Sequence, residues 1–168
     1  MTQDPDTPPG SGLAGRLHTA FGRLAISARA RFRAPVSLGV RLLALNAQGE
    51  VLLVRHSYLP GLALPGGGVD AGETAREAAM REAVEEAGLE FTEAPALFHL
   101  YLNRALANRD HVVLFVARNV QRARTPKPSA EIIASAFHDP ADLPDDVTPA
   151  TRRRIAEVLH GVPPPDDW

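Results

Sequence analysis

The chain has 168 residues, about one domain's worth, with hydrophobic residues at 45% and charged residues at 23%, ordinary proportions for a globular protein. It contains no cysteine, which excludes disulfides, thiolate metal sites, iron–sulfur clusters and cysteine nucleophiles. Lys+Arg is 18 against Asp+Glu 20, a net charge of -2, which leaves no global footprint for nucleic acid or an anionic membrane.

Residues 1–12 carry Asp4, Asp6 and several prolines and glycines, and read as a flexible tail without the basic and apolar regions of a secretory signal. No run approaches the ~20 apolar residues that span a bilayer, so a cytoplasmic protein is expected. Over 13–34, Leu13, Leu17, Phe21, Leu24 and Ala28 recur at steps of four and three, an amphipathic helix decorated by Arg16, Arg23, Arg29, Arg31 and Arg33. Its apolar stripe has three homes, ranked in this order: the chain's own domain, a twin subunit in a homodimer, or a membrane surface. Pro35 ends the segment and opens a domain expected over 35–161.

That domain begins with two β-rich runs, Val36–Leu45 and Glu50–His56, joined by Asn46-Ala47-Gln48-Gly49, which together read as a hairpin. Both runs are apolar without alternation, the pattern of strands covered on two faces. A glycine-rich loop follows at 61–73. A helix then starts at Thr74, with Glu77 completing a capping box, and ends at Gly88. Strands are predicted at Ala96–Leu102, His111–Ala117 and Ile132–Phe137, with Arg118–Ser129 as a loop. A last helix runs from the cap Thr148 and Pro149 to just before Gly161, leaving 162–168 as a loose tail. The order predicts an α/β fold, an α/β/α sandwich around a mixed β-sheet, preceded by the N-terminal amphipathic helix.

The helix after Thr74 carries the chemistry. Glu82, Glu85 and Glu86 share an arc of about 100°. Ala75, Ala78 and Ala79 fall on the same side and leave space above the acids, while Met80, Val84 and Ala87 lie opposite and are assigned to the core. Carboxylates ~5 Å apart cost about 3 kcal/mol per pair at an effective dielectric near 20. Solvent screening on an ordinary acidic face, proton uptake or a bound cation would relieve that cost. Oxygen-only ligands suit Mg²⁺ or Mn²⁺.

The spacing separates these readings. Gly67, five residues, Glu73, seven residues, Arg81-Glu82-Ala83, one residue, Glu85-Glu86, one residue and Gly88-Leu89 together resemble the box of the Nudix hydrolase family at every defined position. Leu64-Pro65-Gly66-Gly67 leads into it, and Phe137-His138 with Asp142-Leu143-Pro144 is similar to the family's downstream pattern. The resemblance implies divalent-metal-dependent hydrolysis of a nucleoside diphosphate linked to another moiety. It implies metal binding by Glu82, Glu85, Glu86 and the backbone carbonyl of Gly66. Gly67 matches the turn glycine, and Glu73 with Arg81 matches a pair that braces the loop. Glu82 is the candidate general base, with Glu131 the alternative.

The substrate is less sharply marked. Position 104, where some subfamilies of similar proteins carry a distinguishing proline or tyrosine, is Arg. Arg55 and His56, at a strand end before the glycine loop, are candidate substrate contacts, although a solvated Arg serves the same position. Lys127, the sole lysine, sits in a Pro-flanked stretch, which disfavours Schiff-base and P-loop chemistry. The partner expected is a small nucleotide. Two other functions fit the same fold: a non-catalytic nucleotide-binding module, which the intact acids argue against, and RNA 5′-end hydrolysis, which the even charge disfavours.

Overall fold

The computed structural model describes residues 36–105, 108–124 and 131–168. The expected tail 1–12 and helix 13–34 lie outside the described residues. In chain order the elements are β1 (Ser37–Ala44), β2 (Val51–His56), β3 (Leu62–Ala63), α1 (Ala75–Ala87), β4 (Leu89–Glu90), β5 (Ala96–Asn103), β6 (Asp110–Ala117), β7 (Gln121–Arg122), β8 (Ile132–His138) and α2 (Pro149–His160). Among the described residues no helix is long and apolar enough to cross a membrane.

The strands form two three-stranded sheets and a small two-stranded one. In the first, β1 runs parallel to β6 and β6 antiparallel to β5, so the sheet is mixed. In the second, β2 lies between β3 and β8, antiparallel to both. The pair β4 and β7 makes the third.

The expected β1–β2 hairpin is therefore corrected. Its turn does form: the Asn46 side-chain carbonyl accepts from the Gln48 and Glu50 amides at 3.0 and 2.9 Å. After one bridge, Leu45 to Val51, the strands part into different sheets. The reason is that the glycine loop occupies the edge of β1 that a hairpin partner would need. Val40 and Leu42 donate to the Gly67 and Pro65 carbonyls at 2.8 and 2.9 Å, and Val69 donates back to Leu38 at 3.1 Å.

Alternation along β1 feeds two cores. Val40, Leu42 and Ala44 join Leu52, Val113, Phe115 and the alanines of α1 on one side. Leu43 and Leu45 join Val51, Leu53, Leu64, Tyr101, Leu114 and Ile155 of α2 on the other. This two-sided covering explains the uninterrupted apolar runs. Each fully buried leucine contributes roughly 2 kcal/mol.

Helix α1 begins where expected. Thr74 and Glu77 form a reciprocal capping box, and Gly88 closes the helix at φ 64°. Such a cap is worth about 1 kcal/mol. The face it buries differs from the sequence reading. Ala78, Ala79, Ala83 and Ala87 are buried together with Glu86, whereas Val84 is 37% exposed. The alanines do not line a gap; their small side chains let the helix approach the sheet closely, and the acid-bearing side turns inward with them.

The segment 162–168 is docked rather than loose. Leu102 of β5 bonds the tail with both backbone groups, its amide donating to the Asp166 carbonyl at 2.8 Å and its carbonyl accepting from the Trp168 amide at 3.0 Å. The Trp168 ring meets Tyr101 edge-on at 5.3 Å and lies 5.0 Å from the buried Arg154 guanidinium. Arg154 pairs with Glu157, which also accepts from the Tyr101 hydroxyl at 2.8 Å. The Arg154 Nη2 and the Tyr101 hydroxyl thus share Glu157 across the second core, and the rings of Tyr101 and Trp168 cover the rest of the guanidinium.

Candidate active site

The inward turn of α1 sets the position of its three acids. Glu86 is the deepest, 7% exposed, and one of its oxygens accepts from the Gly66 amide at 2.9 Å. Burial pushes its pKa up to about 7. The Gly66 hydrogen bond and the Arg41 charge oppose that shift, and the charges of Glu82 and Glu131 add to it. His56, at the end of β2, is buried beside it with Nε2 3.7 Å from the other Glu86 oxygen. Among the described residues neither imidazole nitrogen of His56 has a hydrogen-bond partner. Burial first, then the nearby Arg41 charge, holds this imidazole below the ordinary histidine range.

Glu82 lies one turn earlier, against the glycine loop. A Cβ added at Gly67 would stand 2.3 Å from Glu82 Oε1, so this carboxylate packs on the Cα of Gly67 and only glycine leaves it room. Glu85 is the most exposed of the three, with 61% of its side chain accessible. An open acidic face therefore does not describe Glu82 or Glu86, and only Glu85 is well exposed to solvent.

Arg81 ties these parts together. Its Nε and Nη2 donate to the two oxygens of Glu73 at 2.9 and 3.1 Å, a bidentate grip. Its Nη1 donates to Glu82 at 2.9 Å and reaches Glu85 at 3.5 Å, and its Nη2 also donates to the Gly68 carbonyl at 3.2 Å. One guanidinium therefore joins the loop backbone, the loop acid Glu73 and two helix acids. These hydrogen bonds hold the Glu73 carboxyl below the usual carboxylate range and push Arg81 further up.

Gly66 stands between the loop and β1 at φ 143°, where a Cβ would meet the Val40 carbonyl at 2.1 Å. Its amide is given to Glu86, and its carbonyl accepts from Arg41 of β1. Arg41 lies in the apolar run of β1 and was not singled out by sequence reasoning. A lone Arg between the buried Val40 and Leu42 is the signal that marks it.

The remaining candidates divide. Arg55 is committed to Asp146 at 2.5 Å and is not brought to the acids. His56 is. Glu131 precedes β8, exposed, with its carbonyl accepting from the Ser57 amide at 2.8 Å. Its charge acts on both Glu86 and His56. Tyr58, also unassigned from sequence, packs its ring 5.2 Å from that of His56.

Among the described residues no three His, Asp or Glu side chains converge closely enough to hold a metal ion unaided. The donor chemistry nevertheless fits a hard divalent cation: the carboxylates of Glu82 and Glu86 flank a glycine loop, and a carboxylate raised to about 7 is one that a cation would stabilise in its charged form. Such a cation completes its shell with water and substrate phosphate rather than with an all-protein cage.

A mostly apolar cavity of about 470 Å³ is lined by Arg41, Leu59, Leu64, Asn103, Thr151 and Trp168, among others, and meets the acid site through Arg41. A second, of about 260 Å³, lies along Gly39, Gly67, Gly68 and Asp110 and shares Arg41, Asn103 and Trp168 with the first. The larger falls within the size range of small-molecule sites.

The model of the NUDIX domain matches residues 36–158. The chain belongs to the Nudix hydrolase family. Over 123 residues, 73% of this chain and 80% of the relative, it is 30% identical to a Bacillus subtilis (strain 168) protein named as an 8-oxo-dGTP diphosphatase. The crystal structure of a MutT NUDIX hydrolase from Burkholderia pseudomallei is 26% identical with a TM-score of 0.63, covering 76% of this chain and 100% of that one. A Streptococcus suis ADP-ribose pyrophosphatase shares the fold at 23% identity and a TM-score of 0.54, with 73% of this chain and 91% of that one covered. Nudix enzymes act on small nucleotides and generally use divalent metals.

Proposed function

We propose that this Nudix protein hydrolyses a pyrophosphate bond in a nucleoside diphosphate linked to another moiety, by substitution by water at phosphorus, with Mg²⁺ or Mn²⁺ as cofactor. The observation that carries the reading is Glu86: a buried carboxylate fixed on the Gly66 amide and raised to about 7, within reach of the charges of Glu82 and Glu131. A buried acid in the field of two neighbouring carboxylates is an energetic liability that a cation would relieve.

Glu82, Glu85, Glu86 and the Gly66 carbonyl are the proposed cation ligands. When bound, the cation neutralises the pyrophosphate oxygens and lowers the pKa of the attacking water. Arg81, held by Glu73, fixes the direction of Glu82 and ties it to the loop carbonyl of Gly68. Gly67 leaves room for that carboxylate. Glu82 is the proposed base that takes the proton from water, and Glu131, exposed beside Glu86, is the alternative. His56, buried with both ring nitrogens unpartnered, is a proposed hydrogen-bonding group for a substrate oxygen. The nucleoside half is assigned to the apolar cavity walled by Leu64 and Trp168.

The names of the relatives suggest 8-oxo-dGTP and ADP-ribose as the first substrates to try. A panel of these with nucleotide sugars, dinucleotides and dNTPs, assayed with Mg²⁺ and with EDTA, tests the reading. Hydrolysis of at least one member with Mg²⁺ and none in chelator is expected; equal turnover in chelator overturns it.

A further inference from the structure

We propose that Arg41 couples cation loading to nucleotide binding: its guanidinium holds the Gly66 carbonyl until a divalent cation takes that oxygen, and then moves onto the phosphates of the substrate. The proposal rests on the reading of Gly66 as a cation ligand given above.

The Gly66 peptide is committed on both sides. Its amide is donated to Glu86 at 2.9 Å, and its carbonyl accepts from Arg41 Nη1, which also reaches the Leu64 carbonyl at 3.4 Å. A divalent cation on this carbonyl would share one oxygen with a fixed positive charge. The two repel, and repulsion at that range in a half-buried site is weakly screened. Arg41 therefore has to leave as the cation arrives.

The surroundings decide where it goes. Arg41 is shared by both cavities. In the smaller, the one carboxylate, Asp110, is already bonded on both oxygens, by Ser37 at 2.8 Å and Asn103 at 2.9 Å. The larger has no acid among its described lining residues: Leu59, Pro60, Ala63, Leu64 and Trp168 form most of its wall, with Asn103 and Thr151 as polar members. A guanidinium displaced toward that space finds no Asp or Glu side chain there. It is satisfied by an anion brought from outside, and the phosphates of a nucleotide whose apolar part enters the cavity supply one. Arg suits this exchange because its planar fork serves a carbonyl pair in one state and phosphate oxygens in the other.

The test measures Mn²⁺ binding by the electron paramagnetic resonance signal of free Mn²⁺, without nucleotide, in the full chain and in Arg41→Met and Arg41→Lys. Thermal melts confirm that each variant folds. Arg41→Met is expected to bind Mn²⁺ about tenfold more tightly than the native protein, because no cation has to be displaced, and to raise KM for the nucleotide by about tenfold, more than it lowers kcat. Arg41→Lys, which keeps charge without the fork, is expected to fall between, and it carries the test alone if Arg41→Met does not fold. Mn²⁺ binding by the native protein with no tightening in the variants overturns the coupling alone. Absence of Mn²⁺ binding in all three overturns the cation reading of the site, and the coupling with it.

Discussion

Glu86 and His56 face each other across 3.7 Å, both shut away from solvent, and burial favours the neutral form of each: the acid is pushed up to about 7, the base down. Near pH 7 the carboxyl is about half protonated, and a cation would favour its charged form. Proton release on cation binding follows from that state.

A stability dependence follows with a definite sign. The folded pKa of Glu86, about 7, lies above the ordinary 4.5, so the native state binds the extra proton between those values. That contribution is fully present below 4.5 and is lost as pH rises through 7, up to about 3 kcal/mol. His56 acts oppositely. Its lowered pKa stabilises the native state above 6.5 and loses that effect as pH falls through the folded value. Subtraction isolates Glu86: in EDTA, Glu86→Gln is expected to melt higher than native at pH 8, with the gap shrinking toward pH 5. Thermal melts at both pH values check this; a gap independent of pH contradicts it.

Glycine-to-alanine changes at adjacent positions are expected to have opposite consequences. At Gly66 the φ of 143° and a Cβ 2.1 Å from the Val40 carbonyl set alanine against fixed backbone. Gly66→Ala is expected to lose several kcal/mol of stability. At Gly67 the obstruction is the end of the Glu82 side chain, which can swing away. Gly67→Ala is expected to keep nearly native stability while kcat falls about 100-fold. Paired melts and kinetics separate the two.

Breaking the Arg81 grip is expected to act through Glu82. Glu73→Gln removes the charge that holds Arg81 on two bonds of 2.9 and 3.1 Å. Cation affinity or kcat is expected to fall 10- to 100-fold, the usual range for groups that orient ligands, and Arg81→Lys to behave similarly because it loses the fork. Mn²⁺ titration with steady-state kinetics is the measurement. Native behaviour in both variants would reduce the contact to loop packing.

Glu82 and Glu131 are separable by kinetics. Glu131→Gln is expected to lower kcat less than Glu82→Gln does, because Glu82 sits within the braced cluster while Glu131 is exposed beside it. A larger kcat loss in Glu131→Gln with an unchanged Mn²⁺ titration would transfer the base role to it.

Much of this molecule can be read from local rules. The capping box at Thr74 and Glu77, the glycine at 88, the Thr148-Pro149 start and the strand runs each depend on neighbours within a few residues, and each appears in the structure. Pairing does not depend on neighbours alone. The Asn46 turn forms, but the edge of β1 is taken by residues 65–69 instead of β2. Hydropathy also misorients α1, since it counts Glu86 as a surface residue and Val84 as core, whereas a close helix–sheet approach through alanines sets the orientation. Arg154 stands in a run of three arginines, and its burial depends on Tyr101, Glu157 and Trp168, none of which is predictable from the run itself. Arg41 is hidden for the same reason: its partner carbonyl lies 25 residues away in sequence.

The most direct measurement is phosphorus-31 NMR of the substrate panel with native protein and with Glu85→Gln, each in Mg²⁺ and in EDTA. Glu85 is the most exposed of the three acids, so its replacement disturbs the fold least. Loss of the substrate's phosphoanhydride signals with appearance of its hydrolysis products (two monophosphates from a diphosphate-linked substrate, a monophosphate and pyrophosphate from a triphosphate) by native protein in Mg²⁺, none in EDTA, and a loss of orders of magnitude in Glu85→Gln are expected. Undiminished turnover in EDTA, or a Glu85→Gln enzyme as fast as native, would contradict cation-dependent hydrolysis at this helix.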